Sequence, residues 1–311
     1  MAKLQWDPVG EHYFETGVSH CVLYSPTKET INTGLPGGQL ADSIWKSAGE
    51  KLWKGVAWNG FTGLTEKPSG AEATKLWANN AKYATLRSAE SFGVTIEAYT
   101  YPDDWKKHNG QFTPVAEEKK FAQFATLGQQ AREAFALSYV TNQGSDEDTS
   151  ATMEKWHLLW NLTASPSERA YKTMNESPEA LTFSWEAEAT DTTISEEKVM
   201  GTAGEGVVLP TYRQAMAPNG KVCDMSIDIW KIRNIIAKGG EGAEEAQKVL
   251  SVLETVLWGG SYGVETTTDV EAYMPSPMAI YEILQGNLGF ATGSNRNAVV
   301  NDSKSKAKFS R

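Results

Sequence analysis

Residues 181–190 read LTFSWEAEAT, with apolar and polar side chains in strict alternation. Successive side chains of a β-strand point to opposite faces, so only a strand buries one set and wets the other. Leu181, Phe183, Trp185, Ala187 and Ala189 then share the buried face. Thr182, Ser184, Glu186, Glu188 and Thr190 share the wet one. The period recurs in FGVTIEAYTY (92–101), with Val94, Ile96 and Ala98 against Thr95, Glu97 and Tyr99. AFALSYVT (134–141) and KWHLLWNLTA (155–164) also read as strands, the second with Trp156, Leu158, Trp160 and Leu162 on one face. The polar NQGSDEDTSATM between them predicts a hairpin with a long tip.

Helical spacing is confined to the C-terminal third. In GAEEAQKVLSVLETVLWGG, Val249, Leu250, Leu253, Val256 and Leu257 recur on one face. Glu244 and Glu245 suit the first turn of that helix, and Gly259 stops it. DMSIDIW (224–230) reads as a short strand, and MPSPMAIYEIL (274–284) as a short helix opened by Pro277. Residues 27–54 begin as a Gly- and Pro-rich loop and continue with weak helical spacing through Ile44, Trp45, Leu52 and Trp53. They read as an excursion from the sheet. The last residues, DSKSKAKFSR, are a basic, polar tail, and no internal repeat is visible.

Composition narrows the function classes. The 29 basic and 39 acidic residues leave a formal charge of −10. A broad nucleic-acid grip is disfavoured, because that affinity comes from Lys and Arg neutralising phosphates. The two cysteines, Cys21 and Cys223, form no disulfide framework and no zinc motif. The first residues lack the apolar core of roughly 7–15 residues of a secretory signal. No apolar run approaches the ~20 residues that cross a bilayer. The expectation is a chain made in a cytoplasm, with no membrane partner.

Candidate chemistry is sparse. His12, His20 and Cys21 match no metal-ligand spacing, so ordinary structural roles are expected. Asp146-Glu147-Asp148 fails as a calcium loop, because Ala151 and His157 stand where Gly and Glu are needed. It reads as a solvated hairpin tip. Glu186 and Glu188 lie two apart on one strand face, roughly 7 Å apart, a separation glycosidases also use. One strand seldom supplies both catalytic groups, so a solvated acidic face is the better reading. The glycines of GVAWNGFTGLTEKPSGAE (55–72) fit no phosphate-binding motif, and neither does GGEGAEEA (239–246). Asn59-Gly60 is either a tight turn or part of a bulged strand, and Lys67-Pro68-Ser69-Gly70 reads as a turn. The 11 tryptophans are offered to core packing or subunit contact before sugar or base stacking. These residues give no catalytic site and call for no cofactor and no metal.

Several phrases together resemble one family, the major tail protein, or tail tube protein, of long non-contractile-tailed bacteriophages. They are QWDPVGEHYFETGVSHCVLY (5–24), GVAWNGFTGLTEKPSGAE (55–72), LWANNAKYATLRSAESFGVTIEAYTYPDDW (76–105), LGQQAREAFALSY (127–139) and ASPSERAYKTMNESPEALTFSWE (164–186). The C-terminal helix and the segment after it, 243–284, resemble the family's end more loosely. The resemblance implies a mainly β fold, a β-sandwich or partly open barrel with a flanking helix. It implies hexameric rings that stack into a tube, with extended hairpins joining into a β-barrel between subunits. It further implies a virion tail component, made in the bacterial host, whose partners are itself, other tail proteins at the tube ends, and genomic DNA passing through the lumen.

On that resemblance, residues 1–290 form a single tail-tube domain and 291–311 a polar tail. Residues 191–240 have no counterpart and are expected to be decoration or linker. Glu186 and Glu188 are the candidate lumen-facing residues, since a lumen that repels phosphates lets DNA slide. Ile44, Trp45, Leu52 and Trp53 are the candidate ring-stacking residues. The alternatives are a ring-forming distal-tail or tail-terminator protein of the same fold, and a carbohydrate-binding surface module. An enzyme is not expected.

Overall fold

The computed structural model describes residues 12–27, 52–70, 74–86, 91–114, 121, 124–147, 150, 152–167, 173, 181–190, 192–193, 221–240, 242–262 and 268–286. The large sheet draws on β1 (Tyr13–Thr27), β2 (Leu52–Ala57), β3 (Phe61–Ser69), β6 (Ser91–Ala98), β7 (Phe135–Ser145), β8 (Met153–Ala164), β9 (Phe183–Ala189) and β12 (Asp224–Ile227). Its order is β2-β1-β7-β8-β9-β6-β3, antiparallel throughout, with β12 paired to β8. Smaller two-stranded sheets pair β4 (Thr74–Ala78) with β5 (Ala81–Leu86), β10 (Thr192–Thr193) with β11 (Lys221–Val222), and β13 (Gly260–Tyr262) with β14 (Thr268–Val270). The helices are α1 (Trp105–His108), α2 (Ile229–Lys238), α3 (Ala243–Trp258) and α4 (Pro277–Leu284).

Residues 58–60 join β2 to β3, yet these strands stand at opposite ends of the sheet path. The sheet must therefore curl back on itself into a partly open barrel. The corner is pinned by three hydrogen bonds. Trp58 N donates to Cys21 O and Trp58 Nε1 to Thr100 O, while Tyr99 N donates to Gly60 O, each at 2.8 Å. Gly60 has φ +78°, and a Cβ there would lie 2.6 Å from Thr100 Cγ2. The turn at Asn59-Gly60 is thus a corner between sheet halves, since β2 and β3 do not pair. A register shift between Phe61 and Gly63 adds a bulge just after it.

Two cores follow from the curl. Inside it lie Leu23, Val94, Ile96, Phe135, Leu137, Leu162 and the tryptophans Trp58, Trp105 and Trp185. Those three indoles sit with ring centroids 4.7–5.8 Å apart. On the outside, α2, α3 and α4 cover one part of the sheet through Tyr24, Trp156, Trp160, Ile229, Leu253, Leu257 and Ile280. The alternation of 181–190 is kept: Trp185 and Ala187 are buried, and Glu186 and Glu188 are exposed.

Several sequence expectations are corrected. Leu162 does not share a face with Trp156, Leu158 and Trp160. Asn161 adopts φ +60°, the register shifts there, and Leu159 and Leu162 turn into the inner core. Lys67-Pro68-Ser69 is not a turn. It ends β3, where Pro68 faces Phe92 of β6. That strand is an edge, so the missing N–H of Pro68 costs no ladder bond. The β7–β8 hairpin is longer than expected, because Asn142, Gln143 and Ser145 stay in the ladder. Residues 229–238 are helical, with Ile229, Ile232 and Ile236 turned to the core, so the strand read over 224–230 ends at Ile227.

α3 falls where its periodicity puts it, and Ser276 caps α4 by accepting from Ala279 N. Residues 28–51 and 287–311, and all of 191–220 except Thr192 and Thr193, lie outside the described residues. The decoration or linker and tail expectations fall mostly there.

Candidate functional site

Four surface features carry whatever this fold does toward partners. The first is the outer face of β9, β6 and β3, whose reverse side packs the inner core. Glu186 stands opposite Thr95, Glu188 opposite Gly93 and Ser184 opposite Glu97. Next to them on β3 come Thr65, Lys67 and Gly63. Period-two alternation in two separate strands thus assembles three exposed carboxylates, Glu97, Glu186 and Glu188, around one lysine. Lys67 Nζ reaches Glu186 Oε1 at 3.2 Å, with both side chains largely in water. Such a pair contributes little stability, so the face remains acidic in net charge.

The second feature was not legible as an element in the sequence reading. β4 and β5 form a two-stranded arm that continues the β3–β6 hairpin, Thr74 facing Leu86 beyond the Ser69–Ser91 pair. Its tip is Asn79-Asn80, with φ +50° and +61°. Both positive values mark the tight primed turn that twisted strands prefer, and Asn tolerates them best after Gly. Asn-Asn between Leu76-Trp77 and Tyr83-Leu86 was the available signal. Leu76, Trp77, Tyr83 and Leu86 are all exposed on the arm. Trp77 is the one exposed tryptophan among the described residues, the others being spent in or against the cores.

The third feature is the stretch after α1. Phe112 and Leu127 bridge to each other, and Phe121 stacks on Phe124 at 6.0 Å. All four side chains are exposed.

The fourth is a polar network at one mouth of the barrel. Glu15 on β1 accepts from Thr141 Oγ1 at 2.6 Å, from Lys155 Nζ at 3.2 Å and from Gln143 Nε2 at 3.3 Å. Partial burial pushes its pKa up, but these donors outweigh it and bring the carboxyl down to about 2. Because Thr141 gives its proton to Glu15, His157 Nε2 is the donor in its 2.9 Å bond to Thr141. His157 stacks flat on Tyr139 at 4.5 Å and 3°, and burial pushes its pKa down. Tyr139 in turn donates to Glu66 of β3. The chain of contacts ties β3, β7, β8 and β1 across the open side, a structural use of groups that could otherwise move protons.

His12, His20 and Cys21 do not converge. His12 meets Asp146, His20 stacks on Trp258 at 5.6 Å, and Cys21 is buried in the inner core. Asp146 and Glu147 sit just past β7, at the hairpin tip.

Of the four residues expected to stack rings, Ile44 and Trp45 lie outside the described residues. Leu52 and Trp53 belong to β2, paired with Thr27 and Pro26 of β1. Trp53 is 8% exposed, within the outer core, and its carbonyl accepts from Met274 N at 2.9 Å. Its apolar surface is used inside the subunit, so a contact made by the excursion would fall to residues 28–51.

No family model matches the chain, and no curated protein matches it. Among solved structures it is similar to a chain of an extracellular contractile injection system, the PVC sheath-tube complex in its extended state. The identity is 10%, over 47% of this chain and 83% of that one, with a TM-score of 0.26. It is also similar to a chain of the anti-feeding prophage (AFP) baseplate, at 8% identity over 59% of this chain and 92% of that one, with a TM-score of 0.24. Similarities at these scores carry no argument about this chain.

Proposed function

We propose that this chain is a structural virion protein, the tube-forming subunit of a long, non-contractile bacteriophage tail. The β4–β5 arm is the observation that carries the reading. A two-stranded ribbon with four exposed large apolar side chains is unstable as a free surface and is stabilised by covering it. The β3 edge, unpaired on its outer side among the described residues, has the same need. Both are met at once if copies join side by side and the hairpins complete a barrel between subunits. A closed ring of six copies satisfies the lateral contact, and a ring-on-ring contact that does not close grows a tube. The phrases of residues 5–186 that resemble tail tube proteins point the same way.

In this reading the bare, acidic β9-β6-β3 face lines the lumen, with Glu186 and Glu188 facing the genomic DNA as it leaves. Carboxylates repel phosphates, so the DNA slides without being held. Other tail proteins terminate the tube at its two ends, and no catalysis is involved.

Negative-stain microscopy of the concentrated pure protein tests the assignment. Long hollow tubes are expected. Single rings that never stack would instead indicate a distal-tail or terminator protein. Monomers at every concentration would overturn the assembly reading.

A further inference from the structure

Eight of the exposed large apolar side chains fall in just two segments, the arm and the stretch from Phe112 to Leu127. Trp77 is 67% exposed and Tyr83 75%, while Phe121 is 78% and Phe124 73%. Leu76, Leu86, Phe112 and Leu127 range from 39% to 55%. At about 200 Å² for a whole aromatic side chain and somewhat less for leucine, each segment presents roughly 450 Å² of apolar surface. That exceeds the scattered exposure normal for a monomer, which needs no explanation.

The two surfaces match in chemistry as well as area. The arm carries Lys75 and Lys82 and no carboxylate over residues 74–86. Neither lysine makes an ion pair among the described residues. The described part of 111–130 carries no charged side chain at all. Its stacked Phe121 and Phe124 offer ring faces, which attract ammonium groups. An arm with two lysines and two aromatic rings therefore meets no like charge there and gains ring contacts. The other exposed aromatics are less available: Tyr13 stacks on Trp230, and Phe14 lies in a paired strand.

We infer that the β4–β5 arm of one copy docks on the Phe112–Leu127 surface of a second copy. This rests on the assembly reading above and names the receiving surface that reading leaves open. The contact is heterologous, so each copy gives one arm and receives another. Joined, the two patches remove roughly 900 Å² from water, just below the ~1,200 Å² at which specific interfaces begin, before any polar rim is added. The arm's net positive charge also suits a protein whose formal charge is −10.

The test is site-directed cross-linking in the full chain with Cys223→Ser, leaving buried Cys21 in place. Lys82→Cys with Thr126→Cys is one pair, and Lys75→Cys with Gly128→Cys is a second. Both pairs leave the eight apolar side chains intact, and a Cβ at Gly128 meets nothing within 4 Å. A short bis-maleimide is expected to give a ladder of covalent oligomers at assembling concentrations. Each single-cysteine variant should give none. Tubes or rings without a ladder from either pair overturn this contact and leave the assembly reading standing. A ladder from the Lys82→Cys variant alone, meaning arm against arm, also overturns it. A chain that stays monomeric overturns both.

Discussion

Replacing Gly60 by Ala tests the corner that closes the barrel. Its φ of +78° is a left-handed conformation that an L residue enters at about 1–2 kcal/mol. The new Cβ would also sit 2.6 Å from Thr100 Cγ2 and 3.3 Å from Thr100 N. Thr100 is β-branched and stiff, so relieving that overlap costs typically about 1–3 kcal/mol more. The Gly60→Ala subunit is therefore expected to lose about 2–5 kcal/mol, a large share of the ~5–15 kcal/mol that holds a typical fold. Adding Thr100→Ser removes the clashing methyl and should return the second contribution, leaving about 1–2 kcal/mol. Urea unfolding of dilute protein, followed by tryptophan fluorescence, reads these values because Trp58 and Trp185 lie beside the corner. A Gly60→Ala loss under about 0.5 kcal/mol would refute the corner, being no more than a neutral surface change. Equal losses in the single and double variants would refute the assignment of the clash.

Other perturbations test other parts. His108 is wholly buried, with Nδ1 donating to Glu133 O at 2.9 Å and Ser25 2.6 Å from Nε2. Burial lowers its pKa to about 4 from 6.5. Its neutral form is favoured in the fold, so this stability is complete above pH 6.5 and is lost as pH falls toward 4. The whole step is about 3 kcal/mol, and a His108→Gln variant should show a flatter stability–pH curve over that window. Glu15 has its pKa lowered to about 2, so its contribution is present above pH 4.5 and is lost as pH falls toward 2. Acid titrations of wild type and Glu15→Gln should diverge only in that range. Trp77→Ser with Tyr83→Ser should abolish assembly seen by sedimentation, yet leave subunit stability within about 0.5 kcal/mol, because neither side chain packs in a core.

The strands that could be read in advance were those with one dry and one wet face. In 92–101 and 181–190 a single phase of alternation survives to the end, and burial follows it. In 155–164 the phase breaks at Asn161, whose positive φ no apolar pattern announces, and Leu162 changes sides. Pro68 looked like a turn because turn chemistry and edge-strand chemistry share the same residue, and only the sheet order separates them. Trp53 looked like a contact residue because its burial depends on residues 273–274, far along the chain. The candidate site divides in the same way. Glu186 and Glu188 were visible as a wet acidic face. The arm was not, because both its faces are exposed and so no alternation marks it.

A cryo-EM map of the assembled protein tests the central claim most directly. It should show a hollow tube of stacked six-fold rings with the β9-β6-β3 face on the inner wall and Glu186 and Glu188 projecting into the channel. A map with those two carboxylates on the outer wall or in a dry subunit contact would contradict the lumen assignment. An assembly without a channel would contradict the tube itself.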